Sequence, residues 1–160
     1  LALRPADKPG YPAVITAAGY YVRREKNSSD PGLMYTGAAL FKREAIEKID
    51  EINFFDTLDR GNSRIQTMIY RGFWVDIGAP RSYFEADCRY RAYIKAAGDN
   101  SLSRDVAISS DSTVRHSIIW ENTAISDGSR ISGCIVTGDM TLRRAVYESK
   151  IITKDNVYDL

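Results

Sequence analysis

The chain has 160 residues, 44% of them hydrophobic, with 22 basic and 21 acidic side chains and a net charge of +1. That length suits one domain or two small ones, with enough apolar side chains to bury a core. Balanced charge without a long basic block gives nucleic-acid binding no electrostatic support, and no apolar run approaches the length of a membrane span. Cys88 and Cys134 stand far apart and His116 is the single histidine. That set argues against a structural zinc site and gives a disulfide framework little support. The N-terminus lacks the long apolar core of a signal peptide, so the expected location is cytoplasmic. The sequence begins at Leu1, not methionine, and Leu1-Ala-Leu3 already reads as a strand in mid-sheet. A piece of a longer protein is the expectation.

In chain order, Ala13 to Thr16 and Tyr20 to Arg23 are short β-prone runs separated by a glycine turn. Residues 27–32, Asn-Ser-Ser-Asp-Pro-Gly, read as a loop; its Asn-Ser-Ser matches a glycosylation sequon by pattern, which chance explains. Met34 to Phe41 is a second apolar strand broken by Gly37, and Arg43 to Ile52 carries isoleucines at helical spacing. Phe54 to Leu58 continues as an apolar-rich helical turn, and Ile65 to Tyr70 is a strand. Gly72-Phe-Trp-Val75 then reads as a buried strand continuing the sheet and ending on Asp76, before Gly78 and a helix opened by Pro80 that runs to about Ala97. Strands alternating with helices predict an α/β architecture with a largely buried sheet. A carboxylate at the end of a buried strand, beside a glycine turn, can face a cleft holding a metal ion or polar substrate. The same Asp76 also suits a helix cap.

Helical spacing vanishes near residue 99. Short β-branched pieces follow, separated by polar turns such as Ser126-Asp-Gly-Ser129. Aliphatic positions step by six residues from Ile108 to Val114 and from Ile119 through Ile125 to Ile131, with a one-residue slip at Ile119 and another near Ile135. One inward aliphatic residue per hexad predicts a short, imperfect parallel β-helix, against the alternative of a β-sandwich edge. The predicted domains are therefore 1–98 and 99–160.

An α/β half ending in Gly-Phe-Trp-Val-Asp-Ile-Gly-Ala-Pro80, followed by hexapeptide repeats, resembles the sugar-1-phosphate nucleotidyltransferases, or NDP-sugar pyrophosphorylases. In that family a Trp-x-Asp-Ile/Thr-Gly-Thr motif closes the catalytic domain; here Ala79 takes the place where threonine is common. Tyr35-Thr-Gly37 is similar to the family's strand beside the sugar. Glu25-Lys26 is similar to its Glu-Lys-Pro motif, with Asn27 in place of the proline. The resemblance covers essentially the whole chain and implies the C-terminal half of a Rossmann-like nucleotidyltransferase domain, followed by a short left-handed β-helix. The family's Gly-rich phosphate loop and first metal-binding aspartate lie upstream of such a half and have no counterpart here. A fragment inactive by itself is the expectation.

The resemblance implies that an NDP-sugar and pyrophosphate form from a nucleoside triphosphate and a sugar-1-phosphate, of mannose or glucose type. This chemistry is mostly positioning and charge neutralisation. Asp76 would be the catalytic carboxylate and one ligand of Mg2+. Glu25 would accept hydrogen bonds from sugar hydroxyls, and Lys26 would face the sugar phosphate. Thr36 would add a hydroxyl contact and Gly37 would let the main chain approach the ring. Blander readings stand beside these: Arg23-Arg-Glu-Lys26 is also a solvated strand end, and Gly37 also marks a bulge. Tyr83, Tyr90 and Tyr93 suit packing or an interface, Trp120 suits packing on the solenoid, and His116 suits an exposed turn. The partners implied are the two substrates, the missing half and a homo-oligomer built through the β-helix. Two other functions compete: a regulatory or assembly module of a pyrophosphorylase complex, and a hexapeptide-repeat acyltransferase with His116 as base.

Overall fold

The computed structural model describes residues 1–6, 12–25, 32–47, 54–60 and 64–160. They form two compact units, Leu1–Trp74 and Val75–Leu160. The division falls inside the motif, so Asp76 and the helix after it belong with the coils, whereas the change of periodicity comes only near residue 99. The predicted loop over 27–32 lies outside the described residues except for Gly32.

The first unit is a five-stranded sheet in the order β3-β2-β4-β1-β5. Its strands are β1 (Ala2–Pro5), β2 (Ala13–Ala17), β3 (Tyr20–Glu25), β4 (Leu33–Tyr35) and β5 (Met68–Ile69). Ala18 and Gly19 join β2 to β3 with positive φ angles of 49° and 80°, the two-residue turn whose twist matches a hairpin. A turn that short permits only antiparallel pairing, and β4 pairs antiparallel with both β1 and β2. The parallel pair is β1 with β5. The Rossmann-like half implied by the family resemblance is therefore not what the described residues form. Its described helices are also short: α1 (Arg43–Ile46) and α2 (Phe54–Arg60). Residues 65–67 return to the hairpin, with Tyr21 N–H donating to Ile65 O and Thr67 N–H to Gly19 O, both at 2.8 Å.

Leu3, Ala13, Val14, Met34 and Leu58 are the buried core of this unit. Phe54 and Phe55 of α2 pack on Tyr35, with ring centroids 5.8 and 5.4 Å away, and the Arg24 guanidinium lies 4.4 Å from the Phe55 centroid. Tyr21 Oη donates to Asp59 at 2.5 Å, and burial first, then that acceptor, pushes its phenol above the usual range. Two predicted strands end differently. The run from Met34 stops at Tyr35, and Gly72 to Val75 begins on a bend and joins no sheet.

The second unit opens with α3 (Pro80–Tyr93), whose first helical residue is the proline. Ala79 has no side-chain acceptor to cap it, so Ser82 serves the turn: its hydroxyl accepts the Ala79 N–H at 3.1 Å and donates to Ala79 O at 2.8 Å. The helix ends four residues short of the predicted Ala97, where Lys95 and Gly98 take positive φ angles. Arg91, nearly buried, donates to the main-chain carbonyls of Gly98 and Asn100, and Asp87 accepts the Ser101 hydroxyl at 2.6 Å. These contacts fasten the helix to the first coil.

A β-solenoid of about three turns follows. One face stacks β6 (Ser101–Leu102), β9 (Ile118–Ile119), β12 (Ile135–Val136) and β15 (Lys150–Ile152). The second stacks β7 (Ala107–Ile108), β10 (Thr123–Ser126) and β13 (Met140–Arg143), and the third β8 (Thr113–Arg115), β11 (Arg130–Ser132) and β14 (Val146–Glu148). All these pairs are parallel. The last strand, β16 (Val157–Asp159), turns back antiparallel on β15.

Register explains the slips in the hexads. Ile108, Ile125 and Leu142 stack 17 residues apart, as do Val114 with Ile131 and Ile119 with Val136. The first two coil steps are thus one residue short of three hexads, the missing residue falling at the same corner, between β8 and β9 and again between β11 and β12, whereas the last step, from Ile131 to Tyr147 and from Val136 to Ile152, is one residue shorter still. That corner carries His116 at φ 46°, Gly133 at 62° and Ser149 at 52°. Positive φ turns the chain sharply in fewer residues, at a steric cost for side chains other than glycine. Ile119, Ile125, Ile131, Cys134, Val136 and Ile152 form the buried core.

Corners leave main-chain N–H groups outside the strand ladders, and buried serines take them. Ser117 Oγ accepts the Cys134 N–H at 3.1 Å, and Ser129 Oγ accepts the Ala145 N–H at 3.1 Å. Asn100 begins the series, accepting the Ser117 N–H at 3.0 Å and donating to Val114 O at 2.9 Å. Among the described residues no helix is long and apolar enough to cross a membrane.

Gly138 lies against the preceding coil, where a Cβ would fall 2.5 Å from the main-chain oxygen of Glu121. Gly138→Ala should cost about 1–3 kcal/mol through forced separation of the coils, read as a lowered urea midpoint; an unchanged midpoint would show that the coils part freely there.

Candidate functional site

The predicted sugar-side strand end is built around a break in the sheet. β1 and β4 pair regularly through Leu3 and Tyr35. One residue further, Thr36 N–H donates to Ala2 O at 3.1 Å, but the Ala2 N–H donates past Thr36 to Ala38 O at 3.0 Å. The chain bulges at Thr36 and Gly37, and the Thr36 carbonyl leaves the ladder. Gly37 takes φ 87°, a conformation side chains rarely adopt, and a Cβ there would meet nothing within 4 Å. Its main chain is exposed.

The displaced carbonyl is met from the motif. Trp74 Nε1 donates to Thr36 O at 2.9 Å. Trp74 is itself held by Arg4, whose Nη1 donates to Trp74 O at 2.9 Å while its guanidinium lies 5.2 Å from the indole centroid. Three sequence-predicted features, Thr36, Gly37 and the motif tryptophan, therefore meet. Arg4 is the residue the sequence reading missed; an arginine inside the apolar run Leu1-Ala-Leu-Arg4 was the available signal.

The other predicted residues stand differently. The Thr36 hydroxyl donates to Ala2 O at 3.0 Å, so its proton is engaged within the sheet and its oxygen keeps only its acceptor role. Glu25, at the end of β3, is half-buried and pairs with Arg23 two residues earlier on the same strand face. Pairing register puts Arg23, Glu25 and Arg4 on the sheet face opposite Val14, Arg24 and Tyr35, where α2 packs. Lys26 lies outside the described residues.

Asp76 belongs to the second unit, where it is exposed and its Oδ1 accepts the Gly78 N–H at 3.2 Å. The turn places a carboxylate just ahead of α3 and engages one oxygen locally. Among the described residues no group of three His, Cys, Asp or Glu side chains gathers as a metal site.

Elsewhere in the second unit, His116 is exposed at its corner, with Nδ1 3.3 Å from Asp99 Oδ2. Between α3 and the first face of the coils runs an open groove of about 620 Å3, lined by Tyr83, Tyr90, Trp120, Leu102 and Asp87.

No family model matches the chain. A curated protein of Sulfolobus acidocaldarius, named "Putative mannose-1-phosphate guanyltransferase", does resemble it. The two are 26% identical over 136 residues. The alignment takes in 81% of this chain but 38% of that protein, so the chain spans well under half of the relative's length.

Trp74→Phe keeps an aromatic ring beside Arg4 and removes the donor to Thr36 O. Stability should fall by about 1–3 kcal/mol, the cost of leaving a part-buried carbonyl unmet. Chemical unfolding measures it, and no loss would mean that water replaces the indole freely.

Proposed function

We propose that this chain is the sugar-phosphate side of a sugar-1-phosphate nucleotidyltransferase, joined to a left-handed β-helix. The observation that carries the reading is the junction of Trp74 with the Thr36–Gly37 turn, which links the two stretches that resemble the family. Similarity along most of the chain to a protein named for mannose-1-phosphate guanylyl transfer supports it, as does the solenoid after the motif. Gly37 offers exposed main chain for a sugar ring, Thr36 an acceptor oxygen, Glu25 a carboxylate for sugar hydroxyls, and Lys26 a cation for the phosphate.

Asp76 suits one corner of a magnesium site, since Mg2+ takes one or two carboxylates and completes its shell with water and phosphate oxygens. The ion would neutralise charge on the triphosphate. In this reading Asp76 shares the ion with substrate and with chain outside these residues. Turnover requires a phosphate-binding loop from that remainder, so the 160 residues alone are inactive in this reading. Oligomers form through the β-helix.

The complete gene product, incubated with Mg2+, mannose-1-phosphate or glucose-1-phosphate and each nucleoside triphosphate, should release pyrophosphate with one pairing. Asp76→Asn should lower kcat by about a hundredfold or more. It should leave the melting temperature unchanged, because the amide oxygen still accepts the Gly78 N–H. Pyrophosphate release from no pairing would remove the catalytic reading, and full activity in Asp76→Asn would remove that residue from the site.

A further inference from the structure

We infer that Arg4 is a positioning residue for the Thr36–Gly37 turn and acts on it through Trp74. Calling that turn sugar-facing rests on the function proposed above; the linkage itself rests on geometry.

The Thr36 carbonyl has lost its sheet partner, because the Ala2 N–H reaches past it to Ala38 O. An exposed, left-handed glycine follows at once, so the sheet does not fix the direction of this peptide group. The indole of Trp74 does, at 2.9 Å. Yet Trp74 stands in a segment that joins no sheet, and its own direction must come from side chains. Tyr70 Oη donates to Phe73 O at 3.2 Å from an exposed position. Arg4 is better placed, because one guanidinium holds both the Trp74 carbonyl and the face of its ring. A planar fork does this where a point charge cannot hold both as firmly. Arg4 is itself planted in β1, opposite Met34 in β4, with β5 on the other side of the strand. The rigid sheet thus sets Arg4, Arg4 sets Trp74, and Trp74 sets the peptide on which Gly37 turns. A loose turn would lose affinity by having to be ordered on binding.

Hydrogen exchange followed by nuclear magnetic resonance tests this on the 160-residue chain. In the parent, the Trp74 indole N–H should be protected. In Arg4→Met, which keeps an apolar stem and removes the charge and donors, its exchange should quicken about tenfold or more, with the Val14 and Ile119 amides unaffected. Arg4→Lys should restore part of the protection, since an ammonium can still reach the Trp74 carbonyl or lie over the ring. Arg4→Gln, neutral with one donor group, serves as the second variant if Arg4→Met does not fold, and should fall between parent and Arg4→Met. Indole exchange at the parent rate in a folded Arg4→Met or Arg4→Gln would overturn the inference. Mannose-1-phosphate titration separates the two layers. Affinity should drop in Arg4→Met and return in Arg4→Lys. An indole that responds while the parent binds no mannose-1-phosphate would leave Arg4 as the positioning residue and remove the sugar-site reading.

Discussion

A single hydrogen bond, from the Trp74 indole to the Thr36 carbonyl, ties together the two most specific stretches of the first unit. Without it, a bulge in the sheet would leave a main-chain acceptor unmatched beside an exposed glycine. A buried or half-buried carbonyl of that kind is costly, and proteins satisfy nearly all of them. Here the satisfaction comes from 38 residues away. Tryptophan is suited to it because its large ring packs against the arginine while its one donor points along a fixed direction. The bulge exposes main chain, and the indole makes that exposure tolerable. Exposed main chain and structural repair are parts of one arrangement.

The second unit solves a related problem by repetition. Each corner of the solenoid turns in too few residues for the strands to pair every N–H group. Ser117 and Ser129, buried in consecutive coils, accept those groups from the coil beyond. The same brevity forces positive φ on His116, Gly133 and Ser149. Asp87 and Arg91 fasten α3 to the start of this stack, so the motif's Asp76 precedes a helix anchored on the coils. The carboxylate and the Thr36–Gly37 turn therefore rest on separate compact units, though seven residues of sequence, Trp74 to Pro80, contain the whole motif.

The coils were legible because one inward aliphatic residue per short strand leaves a period that survives in sequence. The slips at Ile119 and near Ile135 looked like imperfections and fall at one corner of successive coils, visible only once stacking aligns Ile108 with Ile125 and Ile119 with Val136. The first unit was less legible. Alternation of strands and helices suggested an α/β architecture with a largely buried sheet, but Ala18-Gly19 is a two-residue hairpin turn and fixes antiparallel pairing there. Gly72 to Val75 has the composition of a buried strand because Trp74 packs and bonds through its side chain, without sheet pairing. Arg4 escaped notice because its partner is distant in sequence, and no local pattern marks a guanidinium that serves a tryptophan. Glu25, Thr36, Gly37 and Asp76 were named from a resemblance. The structure adds that Thr36 and Gly37 form a bulge, that Glu25 has a local arginine partner, and that Asp76 shapes its own turn.

In the function proposed, a sugar phosphate rests on the Thr36–Gly37 turn. A crystal structure of the chain grown with mannose-1-phosphate tests it most directly. The sugar ring should lie against the main chain of Gly37, on the sheet face that carries Arg4 and Glu25. A mannose-1-phosphate seated instead on the α2 face, or in the groove beside Trp120, with the turn left bare, would contradict it.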